Sequence, residues 1–228
     1  MSDFLIILFA ILPGLLISYL IYQQDKYEQE QAIPLLVCFA LGMLVTVPAL
    51  RIEEWADSIG LHESSNVWLT LAVALVVVAF NEELFKFLAL YFYPFQQKFF
   101  NEPYDGIVYS VMIAMGFATL ENIMYATKFG LEITLIRAFT AVPAHGVFAI
   151  VMGYFVGKAK FDAENRTRHL IRGLFVAVLF HGIYDFFILQ QMADGLMLVS
   201  IVLLYASMFL AWKMMRQHQQ DSPHRPLE

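Results

Sequence analysis

The stretch Val67-Trp68-Leu69-Thr70-Leu71-Ala72-Val73-Ala74-Leu75-Val76-Val77-Val78-Ala79-Phe80 runs directly into Asn81-Glu82-Glu83-Leu84-Phe85-Lys86, and apolar sequence then resumes to Tyr93. A bilayer core demands an apolar helix of about this length. Each charged side chain at mid-bilayer costs about 2.5–3.5 kcal/mol on insertion scales. Two acids and a lysine inside such a helix therefore need a reason, and they mark the first place to look for function.

The rest of the chain has the same character. Its 228 residues are 60% hydrophobic, with a mean hydropathy of +0.64, against about 45–50% apolar for a soluble domain. The pattern predicts an all-α, polytopic transmembrane bundle. Seven apolar segments can be drawn: Phe4–Tyr22, Ile33–Leu50, Val67–Tyr93, Tyr104–Thr127, Ile133–Gly157, Leu170–Gln190 and Gly195–Met215. Residues 1–215 read as one transmembrane catalytic domain with its core at 66–190, followed by a flexible cytoplasmic tail at 216–228. The first segment lacks a basic n-region and a small-residue cleavage site, so it reads as a retained helix. The single cysteine, Cys38, excludes an internal disulfide or a cysteine-based metal cluster. The net charge of −6 says little by itself. The expected partners are the lipid bilayer and a membrane protein, not nucleic acid.

Lys and Arg set the orientation. With the N-terminus outside, the cytoplasmic side receives Lys26, Lys98, Lys158, Lys160, Arg166, Arg168, Arg172, Lys213, Arg216 and Arg225, ten in all. The outer side receives Arg51, Lys128 and Arg137. This bias gives seven spans, N-out and C-in. An eighth span made from part of Arg51–Asn66 would break the parity. That acidic, amphipathic stretch otherwise reads as an interfacial helix or part of a gate.

Intramembrane polar residues cluster on four segments. The third carries Asn81, Glu82, Glu83 and Lys86, the fourth Glu121 and Asn122, the fifth His145, and the sixth His181 and Asp185. Glu82 and Lys86 are i,i+4 and share a helix face, and Glu83 is i,i+3 from Lys86. Asp185 is i,i+4 from His181 and can fix which imidazole nitrogen faces the site. Gly116, Gly146, Gly153, Gly157 and Gly182 let helices approach closely, and Pro143 frees a backbone carbonyl near His145. Each feature also has a plain structural reading. A lone intramembrane Glu–Lys pair can be a buried ion pair, and a lone His is more often an interhelical hydrogen-bonding residue than a ligand. Three Glu, two His and an Asp are, however, far cheaper to insert if they meet in one wet cavity. Depth runs against a perfect match: at 1.5 Å per residue, Glu82 lies about 24 Å from the outer end of its helix and Glu121 about 26 Å from the inner end of its own.

Glutamates and histidines without an adjacent Ser or Cys nucleophile suit the activation of water. One route uses zinc, for which two His and a Glu are a common ligand set, with another Glu as base. The other is metal-free: a Glu takes the water proton and a His stabilises the oxyanion. Both end in hydrolysis of a carbonyl compound, most simply a peptide bond. The alternative class is a proton- or cation-coupled transporter or channel that uses the same Glu/His cluster; the lack of an inverted repeat weighs against many such folds.

The ordered set Glu82-Glu83-x-x-Lys86, Phe117-x-x-x-Glu121-Asn122, His145 and His181-x-x-x-Asp185 resembles the PrsW family, within the wider group of CAAX-protease-like (ABI) intramembrane proteases. The stretch from Asp105-Gly106-Ile107-Val108-Tyr109 to Glu121-Asn122 is especially similar to that family's fourth-span pattern. The resemblance implies a multi-pass protease of the bacterial inner membrane that cuts near the outer bilayer face. Its substrate would be a single-span, anti-sigma-factor-like protein receiving a site-1-type cut. By the same resemblance Glu82 or Glu83 activates water, His145 and His181 bind metal or the oxyanion, and Glu121 is a ligand or second acid, with Lys86, Asn122 and Asp185 in support. Prenyl-processing relatives have His where this chain has Glu121 and Asn where it has Asp185, which argues against CAAX processing.

Overall fold

A computed structural model describes residues 3–62 and 64–226. Among these residues every regular element is helical. The helices are α1 (Asp3–Gln24), α2 (Ala32–Ser58), α3 (Val67–Ala72), α4 (Asn81–Phe92), α5 (Asp105–Phe139), α6 (Ala141–Phe161), α7 (Arg166–Leu189) and α8 (Met197–Gln220). Among the described residues, six helical segments are long and apolar enough to cross a membrane: Leu5–Gln24, Ala32–Ser58, Val67–Gln96, Asp105–Phe161, Arg166–Leu189 and Met197–Gln220.

α5 is the central post. Nearly every residue from Asp105 to Thr119 is buried, whatever its helical face. A helix that is apolar all round belongs inside a bundle, and α1, α2, α4 and α6 pack around it. Glycines set how near they come. A methyl group on Gly42 would overlap the Ile113 carbonyl, and one on Gly116 would overlap the Phe39 carbonyl, so α2 and α5 cross backbone to backbone. Gly106 and Gly153 make the same reciprocal contact between α5 and α6. Gly146 differs, since a methyl there meets only ordinary van der Waals neighbours.

The decisive third segment is not one regular helix. Asn66 caps α3 by accepting from the Trp68 and Leu69 amides at 3.0 and 3.3 Å. Val73–Phe80 then adopts π-helical geometry before α4 begins at Asn81. A π turn carries extra residues, so it advances less per residue and rotates the register of the helix beyond it. Asn81, Glu82, Glu83 and Lys86 all emerge buried. An unbroken apolar run offers no periodicity from which this change could be read.

Three boundaries differ from the sequence reading. Arg51–Ser58 is the last part of α2 and not a separate interfacial helix; only the residues after it connect to α3. The fifth apolar segment, drawn as Ile133–Gly157, belongs to two helices. Gly130, at φ +78°, breaks α5, a short helical stretch runs on to Phe139, and α6 starts at Ala141. Pro143 therefore lies in the first turn of α6, where its missing N–H costs no helical bond, and it starts a helix instead of opening one. Helix α8 continues to Gln220, with His218 and Gln219 buried.

Candidate active site

Glu82, Glu83, His145 and His181 converge. Each offers a ligand-type atom, these atoms lie within 4.8 Å of one another, and all four residues are buried. α4, α6 and α7 supply them.

Lys86 organises the group. Its ammonium donates to Glu82 Oε2 at 2.9 Å and Glu83 Oε1 at 2.8 Å, and lies 3.0 Å from His145 Nδ1. The Phe117 ring lies 4.2 Å below it. An ammonium has donors only, so His145 Nδ1 must accept from it. The imidazole proton is then on Nε2, which faces Glu121 Oε2 at 3.1 Å. His145 is thereby held as one neutral tautomer by charges of opposite sign on its two nitrogens. His181 is held differently. Its Nδ1 is 2.9 Å from Glu83 Oε1 and its Nε2 3.1 Å from Asp185 Oδ2. An imidazole can donate to both only as the cation. Phe148 stacks on the His181 ring at 4.8 Å, and Gly182 seats α7 against Leu75 of the π segment.

Glu121 stands beside this group, outside the mutually close set. It forms a 2.7 Å salt bridge to Arg137, whose guanidinium lies 3.9 Å over the Tyr125 ring. Arg137 read as an outer-loop cation in the sequence. The Gly130 break is what returns it to the helix that it left. Asn122 is directed elsewhere: its amide donates to the Ala10 carbonyl at 3.1 Å and ties α5 to α1. Asn81 donates to the Ala49 carbonyl at 2.9 Å and to Glu53 Oε1 at 3.2 Å.

A cavity of about 470 Å³ lies beside the site and reaches Glu121 but none of Glu82, Glu83, His145 and His181. Leu50, Glu53, Val77, Glu121, Tyr125 and Leu189 line it, and Glu54, Asp57, His62 and Lys128 stand toward its mouth. Glu53 interacts electrostatically with both Glu82 and Glu121. Sequence reasoning passed over it as part of an acidic loop. Its position, five residues before the end of a helix that packs on α4, lies beyond Leu50, the last apolar residue of the second segment.

A bundle of membrane-length helices enclosing an acid–histidine–lysine centre defines a polytopic membrane protein with its chemistry inside the bundle. Residues 30–212 match the family described as PrsW family intramembrane metalloprotease. Relatives include Protease PrsW of Geobacillus kaustophilus, 35% identical over 80% of this chain and 79% of that one. Protease PrsW of Clostridioides difficile is 32% identical over 90% and 86%, and Protease PrsW of Bacillus subtilis 34% over 80% and 82%. The chain belongs to the PrsW family, and it is accordingly an intramembrane protease of a bacterial type. No solved structure gives a significant match.

The family description implies a metal, and the donors can be tested against one. Two imidazoles and two carboxylates suit zinc in kind. The Lys86 ammonium, however, already contacts three of the four. A zinc ion among these donors would sit against a like charge at contact distance and would also need the His145 lone pair that Lys86 uses. The arrangement does not fit a metal while Lys86 holds this place.

Proposed function

We propose that this chain hydrolyses a peptide bond of a membrane-anchored protein, with Glu82 as the base that activates water. The observation that supports this most is the meeting of Glu82, Glu83, His145 and His181 around Lys86, next to a cavity lined by Glu53 and Glu121. Glu82 is favoured over Glu83 as the base because it interacts electrostatically with Glu53 and Tyr125, which line the cavity. Glu83 is instead committed to Lys86 and His181.

In this reading Glu82 takes a proton from a water molecule as the water oxygen bonds to the scissile carbonyl carbon. The positive charges of Lys86 and of the His181 cation stabilise the charge that develops on the carbonyl oxygen. Glu82 returns the proton to the amide nitrogen as the C–N bond breaks. Glu121 and Asp185 act through the histidines by fixing their proton positions.

Topology supports a cut near the outer face. The 57-residue segment Asp105–Phe161 would span about 85 Å if straight, against a hydrocarbon core of about 30 Å. It instead folds into α5 and α6, packed along each other, which supports reading it as two crossings and the bundle as seven spans. Lys98, Lys158, Lys160, Arg166 and Arg216 then lie at one end of the bundle, which the positive-inside rule makes cytoplasmic. The cavity mouth, at Glu54, Asp57 and Lys128, lies at the other end. The natural substrate class is a single-span protein with an exposed juxtamembrane segment, of the anti-sigma-factor kind, in a bacterial inner membrane. The test is cleavage of such a protein by the purified chain, and an intact substrate would count against the proposal.

Lys86, standing where a metal would stand, sets a second expectation. A strong zinc chelator should leave the cleavage rate unchanged, and metal analysis of active protein should find zinc well below one per chain. Loss of activity on chelation, restored by zinc, would show that Lys86 leaves its place in the working enzyme.

A further inference from the structure

At the opposite end of the bundle from the cavity, about 24 Å down α5 from Glu121 at 1.5 Å per residue, lies a second group of acids. Asp25, Glu102 and Asp105 offer carboxylate oxygens within 4.8 Å of one another, and all three residues are buried. They come from two separate parts of the chain: Asp25 from the α1–α2 connection, and Glu102 and Asp105 from the turn that opens α5.

The environment holds one oxygen of an acid and leaves another unpaired. Asp105 Oδ2 accepts the backbone amides of Asn101 and Glu102, at 2.6 and 2.9 Å. Its other oxygen, Oδ1, is buried with no hydrogen-bond partner among the described residues. Glu102 Oε2 accepts from the Ser222 hydroxyl just beyond α8. Asp25, 2% exposed, has its Oδ2 buried and unpartnered. The Tyr104 side chain, 1% exposed, feels the charges of Asp25 and Glu102, with the Gln219 amide beside its hydroxyl. Lys160, which feels the charge of Asp105, gives its ammonium protons to the Phe95 and Gln97 carbonyls. A buried carboxylate oxygen without a donor is costly, and here Asp25 faces Glu102 and Asp105 faces Glu30, acceptor against acceptor.

We infer that Asp25, Glu102 and Asp105 form a binding site for a hard divalent cation of the calcium class, which fastens the α1–α2 connection, the start of α5 and the end of α8 together. An all-oxygen carboxylate set selects calcium or magnesium over zinc. Oxygens bound to one calcium ion lie up to roughly twice 2.4 Å apart, a looser spread than magnesium accepts. The outer hydrogen bonds from Ser222 and the two loop amides orient the ligands as such bonds do around known metal sites. Burial, followed by the charge of Glu102, pushes the Asp25 carboxyl up to about 8, which reflects the same crowding of negative charge that a cation relieves. Glu30, with Tyr109 donating to it, and Glu28, paired with His224 at 3.1 Å, add negative charge around the site.

The test uses the full chain in detergent and does not depend on peptidase activity. Terbium, a calcium substitute whose emission is excited through a nearby tyrosine, is titrated and then displaced by calcium or by magnesium, and thermal melting is followed with each ion. The expected result is tyrosine-sensitised emission that calcium displaces more readily than magnesium, with a saturable rise in Tm. Glu102→Gln and Asp25→Asn, both near-isosteric, should each weaken binding by about tenfold or more, since site charge sets affinity. Absence of displaceable emission and of any Tm shift in wild type would overturn the inference and leave protons alone holding the acids together. So would emission of equal strength in wild type and both variants, which would place the ion elsewhere. The wild-type measurement decides the matter even if a variant fails to fold.

Discussion

Glu82→Gln is expected to abolish detectable cleavage while leaving the protein folded. The amide keeps the shape of the carboxylate and still offers Lys86 an oxygen where Glu82 Oε2 now accepts at 2.9 Å. What it loses is the capacity to take a proton from water. Removing a positioned general base costs about 10²–10⁴-fold in rate, and substrate binding should change little. The comparison with Glu83→Gln is informative. Glu83 is bonded to both Lys86 and His181, at 2.8 and 2.9 Å, and breaking a buried charge network by removing one partner costs about 3–5 kcal/mol. That variant should lose thermal stability as well as activity. Equal stability losses, or a Glu82→Gln protein that cleaves like wild type, would remove Glu82 from the role assigned to it.

Gly116→Ala should damage the fold more than any other single methyl group added to α5. The new carbon would overlap the Phe39 carbonyl oxygen, a backbone atom that cannot turn aside. α2 would have to move away, and with it Ala49 and Glu53, the two acceptors of the Asn81 amide. Forcing atoms into a packed interior costs about 1–3 kcal/mol where side chains can adjust, and more is expected where backbones meet. The readout is the melting temperature and yield of the purified protein. Gly195→Ala is the matched control, because nothing lies within 4 Å of the added carbon. If both variants melt with wild type, the close crossing of α2 and α5 is wrong.

Much of the site was legible in the sequence because charge inside an apolar run is conspicuous. Glu82, Glu83, Lys86, His145, His181 and Asp185 were all found this way, and the i,i+3 and i,i+4 spacings foretold which of them touch. The depth estimate set Glu82 and Glu121 apart, and the structure keeps Glu121 outside the mutually close set. The π segment shortens the rise before Glu82, and Glu121 meets the group only through His145. What could not be read has a common cause: it depends on where a helix bends or ends. Arg137 reaches Glu121 because Gly130 breaks α5, and a glycine in an apolar stretch gives no sign of whether it packs or bends. Glu53 was hidden because α2 extends eight residues past the last apolar residue drawn for it, Leu50. Lys86 could be paired with the glutamates from spacing, but its contact with His145 joins residues 59 positions apart. That contact is what turns a candidate zinc set into one already holding a cation. The acids Asp25, Glu102 and Asp105 are scattered among polar connections, where acidic residues attract no notice until the fold buries them together.

The central claim is that the buried glutamates hydrolyse a membrane-anchored substrate. The most direct measurement places the purified chain and a single-span protein with an exposed juxtamembrane segment in the same proteoliposomes, in water enriched in ¹⁸O, and identifies the products by mass spectrometry. The account predicts two fragments that meet near the membrane face beside the cavity mouth, with ¹⁸O in the new carboxyl terminus, and none from Glu82→Gln. Products of equal amount from wild type and Glu82→Gln, or an intact substrate beside correctly folded wild-type protein, would contradict it.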